Sequence, residues 1–186
     1  MLTIPEEETG YYGLGRYYLG EKFYKKSREF NRPKRAVENR PVQKKLIPIA
    51  EAQLWVREAS GQNDGVQVEA FLSAAGLKKG NPWCAAFVSW VHQQAGYNAP
   101  RTGWSPALFP VNRLVKAAAP GNVFGIYFPA LKRIAHCGFV TRRHGSWVVT
   151  VEGNTSIAGS REGDGVYQRM RHFRTLSKYA DWTSGK

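Results

Sequence analysis

The sequence predicts an α+β fold, in which N-terminal helices pack on a small antiparallel β-sheet. Apolar residues recur at close to helical spacing in the first half of the chain, up to about residue 118. From residue 122 onward, apolar and polar residues alternate and β-formers are frequent, which is typical of strands. Helices that precede the strands, rather than alternate with them, indicate α+β. The 186 residues, 42% of them hydrophobic, are enough for one domain with a packed core.

Two helices are expected before residue 80. The first spans about residues 47–60, where the apolar positions lie close to helical spacing. A turn over residues 61–65 follows, and Asp64 is the expected cap of a second helix, which ends at Gly76. The order helix, turn, helix is therefore set by local signals.

The third helix carries a cysteine in its first turn. Asn81 is the expected N-cap, and Pro82 suits the first helical position, where its missing N–H is not needed. Nearly every residue after Cys84 is apolar, so the helix should be covered on most sides until it ends at Gly96. The positive end of the helix dipole favours thiolate over thiol at Cys84. The alternative for this stretch is a buried cysteine that acts as a small hydrophobic residue.

The second half of the chain is predicted to form the sheet. A loop over residues 97–110 and a short helix over residues 111–118 lead into it. Strands are predicted over residues 122–128, 135–141, 146–152 and 165–170. The turn at His144-Gly145 would join the second and third strands as a hairpin, which makes their pairing antiparallel.

Three strand-associated residues could complement the thiol of Cys84. His136 lies within the second strand, Glu152 ends the neighbouring strand of the hairpin, and Asn154 follows in the loop. Alternation places Cys137 on the face opposite His136, so we expect Cys137 to be buried behind the site and unreactive. A cysteine, an imidazole and a polar group that orients it make up a thiol hydrolase, in which the Cys84 N–H can stabilise an oxyanion.

The first 45 residues differ from the rest. Tyrosines alternate with glycines, a run rich in lysine and arginine follows, and no helical or strand period persists. We interpret residues 1–45 as a basic, aromatic-rich arm or linker and residues 46–186 as the catalytic domain. The arm could grip nucleic acid by stacking and phosphate contacts, or its tyrosines could pack onto the domain while its cations are simply solvated.

The charge of the chain predicts an anionic partner. Lysine and arginine number 27 against 14 aspartates and glutamates, which gives a formal net charge of +13. Such a surface attracts polyanions such as nucleic acid, anionic membranes or acidic cell-wall polymers. No stretch approaches the length of a membrane-spanning helix, and the first residues lack the pattern of a signal peptide.

Several separated motifs, in order, resemble one known family. The segments PWCAAFVSW and AHCGFV…VEGNTS, with the lead-in GQNDGVQVEAFLSAAGLKKGNPWC, are similar to the CHAP domain, the cysteine, histidine-dependent amidohydrolases/peptidases. The resemblance covers about residues 47–171. It implies a papain-like α+β fold with Cys84 as nucleophile, His136 as base, and Glu152 or Asn154 as the orienting group. The usual GDIVVF strand of the family appears here as GNVFGI, without the aspartate.

The resemblance implies a peptidoglycan hydrolase that cleaves amide bonds of the peptide stem or cross-link. It would act as a monomer in the cell envelope, without a cofactor, and nucleic acid is not the expected partner. Trp83 and Trp104 are candidate substrate-binding residues. Alternatives are a catalytically idle wall-binding or assembly module, a thiol amidase toxin delivered to other cells, and a basic-arm protein that binds nucleic acid.

A metal site is the competing chemical interpretation of the same residues. Cys84, His136 and Cys137 could ligate zinc together with a distant histidine. The chain lacks the closely spaced CxxC or HxxxH pairs that zinc sites usually use, so we expect no metal.

Overall fold

The computed structural model describes residues 43–158 and 162–184. The predicted arm, residues 1–45, lies outside this part except for its last three residues. Helix α1 spans Gln43–Glu51, so the domain boundary expected between residues 45 and 46 falls inside a helix.

Helices precede the sheet, as the sequence predicts. Within the described residues, α1 is followed by α2 (Val66–Ala74) and α3 (Cys84–Gln94). Helix α3 is covered on nearly every side, with eight of its eleven residues buried, because its sequence is almost continuously apolar. Helix α2 packs against it through Phe71, whose ring lies 5.2 Å from that of Phe87.

The strands form an antiparallel sheet, which confirms the α+β class. The described strands are β1 (Leu114–Val115), β2 (Val123–Phe128), β3 (Arg133–His144), β4 (Trp147–Thr155), β5 (Gly165–His172) and β6 (Lys178–Ala180). Their order across the sheet is β1-β6-β2-β3-β4-β5. Strands β3 and β4 form the predicted hairpin, with the turn at residues 144–147.

Helix α3 lies directly on strands β3 and β4. A Cβ atom at Gly153 would come within 2.8 Å of the Phe87 side chain and within 2.7 Å of the Trp83 ring, so no larger residue fits there. On β3, Phe139 faces the same helix, and its ring lies 6.1 Å from that of Phe87. This close approach holds the start of α3 against the middle of the sheet.

Several local predictions were wrong in detail. Asp64 does not cap α2; its carboxylate instead accepts hydrogen bonds from the N–H and hydroxyl of Ser60 and closes the turn. Asn81 does not cap α3, because its side-chain amide donates to the carbonyl of Lys78 and the helix begins two residues beyond Pro82.

The segment predicted as a helix over residues 111–118 is instead a short helical turn followed by β1. The helix expected over residues 47–60 begins and ends earlier, at Gln43 and Glu51.

The departure from the family's GDIVVF strand concerns Asn122. Strand β2 forms nonetheless, and the Asn122 side-chain oxygen accepts a hydrogen bond from the N–H of Ala119 at 3.0 Å. Asparagine thus closes the turn before β2.

In the part of the chain that the structure describes, no helix is both long and apolar enough to cross a lipid bilayer.

Candidate active site

Cys84 is the first residue of helix α3. It follows Trp83, which occupies the N-cap position, so the Cys84 N–H belongs to the first turn, whose amides have no acceptor within the helix. The side chain is 5% exposed and lies in the wall of a cleft of about 450 Å³. The thiol is therefore held rigidly, yet a solute in the cleft can reach it.

His136 comes from strand β3 and is held by Glu152 of strand β4. Its Nε2 atom lies 2.8 Å from Oε2 of Glu152, and both side chains are buried. Among the described residues, Nδ1 of His136 has no hydrogen-bond partner. Glu152 therefore fixes the ring through one nitrogen and leaves the other available to a thiol.

A bulge in strand β3 lies next to the imidazole. Ile126 pairs with His136, but the next residue of β2 pairs with Ile134, which leaves Ala135 as the extra residue. Bulges increase the local twist of a strand and can redirect the adjacent side chain. The glycine at position 138 makes room for the Glu152 side chain, because a Cβ atom at Gly138 would lie only 3.0 Å from Cγ of Glu152.

Glu152 is itself fixed by two further side chains. Arg171 on strand β5 donates from Nε to Oε1 at 2.6 Å and from Nη2 to Oε2 at 2.5 Å. The hydroxyl of Thr150 donates to Oε1 at 2.5 Å. A buried carboxylate that receives a bidentate guanidinium and a hydroxyl cannot rotate freely, so it defines the orientation of His136.

The pKa values follow from these contacts. Burial favours the neutral form of His136, but the nearby Cys84 and the hydrogen bond and charge of Glu152 outweigh it and raise the pKa of His136 to about 9. Burial would raise the pKa of Glu152, but Arg171 and His136 lower it to about 2. The imidazole is thus cationic and the carboxylate anionic at neutral pH.

The pKa of the Cys84 thiol is shifted in the opposite direction to that of the His136 imidazole. The neighbouring Cys137 thiol has the largest effect, and together with the positive charge of His136 it holds the pKa of Cys84 well below its usual range despite burial. The lowered pKa of Cys84 and the raised pKa of His136 both favour a thiolate–imidazolium pair.

The placement of Cys137 behind the site was wrong. Cys137 is fully buried, as expected, but it shares one polar neighbour, Ser105, with Cys84. The hydroxyl of Ser105 lies 3.4 Å from the sulfur of Cys84 and 3.9 Å from that of Cys137. Alternation does put Cys137 on the helix-facing side of β3, but α3 brings Cys84 to that side. Burial and the neighbouring Cys84 raise the pKa of the Cys137 thiol.

Asn154 contacts the start of α3 rather than the imidazole. In the amide orientation that satisfies both of its polar groups, its oxygen accepts from the N–H of Trp83 at 2.9 Å. Its nitrogen then donates to the carbonyl of Gly163, also at 2.9 Å. The residue has a φ of 56°, a left-handed conformation that asparagine tolerates better than most residues. Of the two predicted orienting groups, Glu152 is the one that touches His136.

The two candidate substrate-binding tryptophans have different environments. Trp83 is fully buried, its indole N–H donates to Glu58 at 2.8 Å, and it does not line the cleft beside Cys84. Trp104 is 53% exposed and lines the cleft beside Cys84. The guanidinium of Arg133 lies 4.2 Å from the centre of the Trp104 ring, and Arg101 also lines the cleft.

Sequence reasoning missed Arg171 and Ser105. Arg171 lies one residue past the last position of the predicted fourth strand, and no motif marks it. Ser105 lies in the loop over residues 97–110, whose sequence gives no indication of which side chain turns inward. Across residues 43–158 and 162–184, no group of three or more histidine, cysteine or acidic residues could hold a metal ion.

Comparisons with protein-family models, with curated proteins and with solved structures found no match for this chain. The chemical interpretation of the site therefore depends on its own residues and their geometry.

Proposed function

We propose that this chain is a thiol hydrolase of the CHAP type that cleaves amide bonds in peptidoglycan. The observation that carries the proposal is the buried hydrogen bond between His136 and Glu152. It lies near Cys84 at the start of a buried helix, and the charge of His136 lowers the pKa of that thiol. Nucleophile, base and orienting carboxylate are the three groups that acyl transfer by a thiol requires.

The reaction would proceed in two steps. The Cys84 thiolate attacks the carbonyl carbon of the scissile amide, and the Cys84 N–H at the helix start is placed to stabilise the oxyanion that forms. His136 gives its Nδ1 proton to the departing amine, which leaves a thioester on Cys84. His136 then takes a proton from water, whose oxygen attacks the thioester and releases the carboxylic acid and free thiolate.

The cleft supports an anionic, extended substrate. Arg133 and Arg101 line it together with the exposed face of Trp104, so a carboxylate-bearing peptide would meet both charge and an apolar surface. Peptidoglycan stems carry such carboxylates, and the net charge of +13 favours an anionic wall. The cell envelope is the corresponding site of action.

The test is digestion of purified sacculi, with the released muropeptides identified by mass spectrometry. The wild-type chain should release new amino termini, and the masses of the products identify the bond that is cut. Cys84→Ala should release none above background while it keeps its fold, because alanine suits the start of a buried helix.

Wall binding by the wild-type chain without any release of amines would instead favour the idle binding module. Equal digestion by wild type and Cys84→Ala would refute the thiol mechanism itself.

A further inference from the structure

We propose that Cys84 and Cys137 form a peroxide-sensitive pair, in which oxidation of Cys84 ends in a reversible disulfide with Cys137. Neither the hydrolytic mechanism nor the substrate requires this second thiol. The inference concerns the thiols themselves and does not depend on which bond, or whether any bond, the site hydrolyses.

The two sulfurs share one polar neighbour. The Ser105 hydroxyl lies within hydrogen-bond distance of both, at 3.4 Å from Cys84 and 3.9 Å from Cys137. The residues come from α3 and β3, which pack directly on each other around Phe87 and Phe139. A disulfide requires that the sulfurs approach to about 2.05 Å, and here a change of side-chain rotamer with displacement of the Ser105 hydroxyl could supply that approach.

The two thiols differ in access and in reactivity. Cys84 lines the cleft, so a small hydroperoxide can reach it, whereas Cys137 is fully buried. The neighbouring Cys137 and His136 lower the pKa of Cys84, whereas burial raises the pKa of Cys137. Thiolates with low pKa and access to solvent are the ones that peroxides oxidise, and a second thiol nearby completes a resolving pair.

The chemistry balances with hydrogen peroxide as the oxidant. The Cys84 thiolate attacks one peroxide oxygen, the O–O bond breaks, and Cys84 becomes a sulfenic acid while hydroxide leaves. The Cys137 sulfur then attacks the sulfur of that sulfenic acid. The S–S bond forms, the S–O bond breaks, and the hydroxyl leaves as water with the proton of Cys137. An external dithiol reverses the step by thiol–disulfide exchange.

Without a resolving thiol, the sulfenic acid is expected to proceed to sulfinic and sulfonic acids, which a dithiol does not reduce. Cys137 would therefore protect Cys84 from irreversible oxidation. If the site is hydrolytic as proposed above, the disulfide also switches it off reversibly.

The test treats the full chain with hydrogen peroxide, alkylates it under denaturing conditions, and maps its tryptic peptides by mass spectrometry. Wild type should lose two hydrogens and yield a linked peptide that contains Cys84 and Cys137, and dithiothreitol should abolish that peptide. In Cys137→Ala, Cys84 should instead gain two or three oxygens that dithiothreitol does not remove. In Cys84→Ala, Cys137 should stay reduced.

Cys137→Ser repeats the test in case alanine leaves a damaging cavity, and the wild-type linkage decides the question by itself if neither variant folds. Irreversible oxidation of Cys84 in wild type at the rate seen in Cys137→Ala would overturn the proposal. So would disulfides formed between chains, or two cysteines that stay unmodified. The experiment measures peptide masses and not hydrolysis. The disulfide proposal can therefore fail while the proposed function stands, and the proposed function can fail while the disulfide proposal stands.

Discussion

One buried histidine lies near each end of helix α3, and the pKa values of the two are shifted in opposite directions. His136 interacts electrostatically with Cys84 at the helix start, and its pKa is raised to about 9. His92 lies near the helix end, and its pKa is lowered to about 4. Both rings are almost completely inaccessible to solvent. Burial is therefore not what decides the protonation state of an imidazole in this protein.

The partners of each ring explain the difference. Burial is the largest influence on His92, and the Val88 carbonyl, which accepts from Nδ1 at 2.8 Å, does not offset it. Among the described residues, Nε2 of His92 has no hydrogen-bond partner. His136 faces a carboxylate and a thiolate instead, and two anionic partners reverse the effect of burial. His92 is thus a neutral residue of the packed core, whereas His136 has the anionic partners that proton transfer would need.

The largest expected effect is on hydrolysis by variants of the two histidines. His136→Ala should lower kcat/KM on muropeptides by about 10³-fold or more, because it removes the acid–base group. His92→Leu should leave kcat/KM within a few-fold of wild type, because leucine fills similar space beside Phe139. Circular dichroism melts check that both variants fold. A similar loss of activity in both would erase the distinction between the two rings.

The second-largest expected effect is on the pH profile of kcat/KM, and it shows whether Glu152 or Asn154 orients His136. The imidazolium is present below about pH 9 and is lost above it, so kcat/KM of wild type should fall on an alkaline limb near pH 9. Glu152→Gln removes a partner that raises the pKa of His136, so the limb should move to lower pH. Activity should also fall on the order of 10² to 10⁴-fold.

Asn154→Ala is the matched comparison on the same strand. It should lose about 1–3 kcal/mol of unfolding free energy with the hydrogen bond to the Trp83 N–H, and its alkaline limb should stay where it is. The reverse pattern, with the limb moved by Asn154→Ala and unmoved by Glu152→Gln, would transfer the orienting role to Asn154.

The smallest effect concerns stability in acid. The unfolded chain protonates His92 near its ordinary pKa of 6.5, whereas the folded chain protonates it at about 4. Unfolding therefore takes up a proton between these values, and His92 should cost stability as pH falls from about 6.5 to 4, by at most about 3 kcal/mol. His92→Leu should flatten this part of the stability curve in denaturant titrations. An unchanged slope would mean that His92 is not held neutral.

The sequence by itself determined the class of the fold and singled out the candidate site residues. Periodicity is a local property, so it located α2, α3 and the strands β2 to β5, and it placed a cysteine at the start of a helix. Strands β1 and β6 were missed, because segments of two or three residues are too short to show a period. The order of the motifs singled out Cys84, His136 and the pair Glu152 or Asn154 before any contact was known.

The tertiary structure decided what each of these groups touches. Alternation assigns a residue to a face of a strand, but it does not say what packs on that face, so Cys137 was placed away from Cys84 although α3 covers its side. The same reason applies to Trp83, whose buried ring packs against Phe71 of α2, and to Asn154, whose side chain accepts from the N–H of Trp83. Arg171 reaches Glu152 across the β4–β5 pairing, and such a contact exists only once the strands are in register.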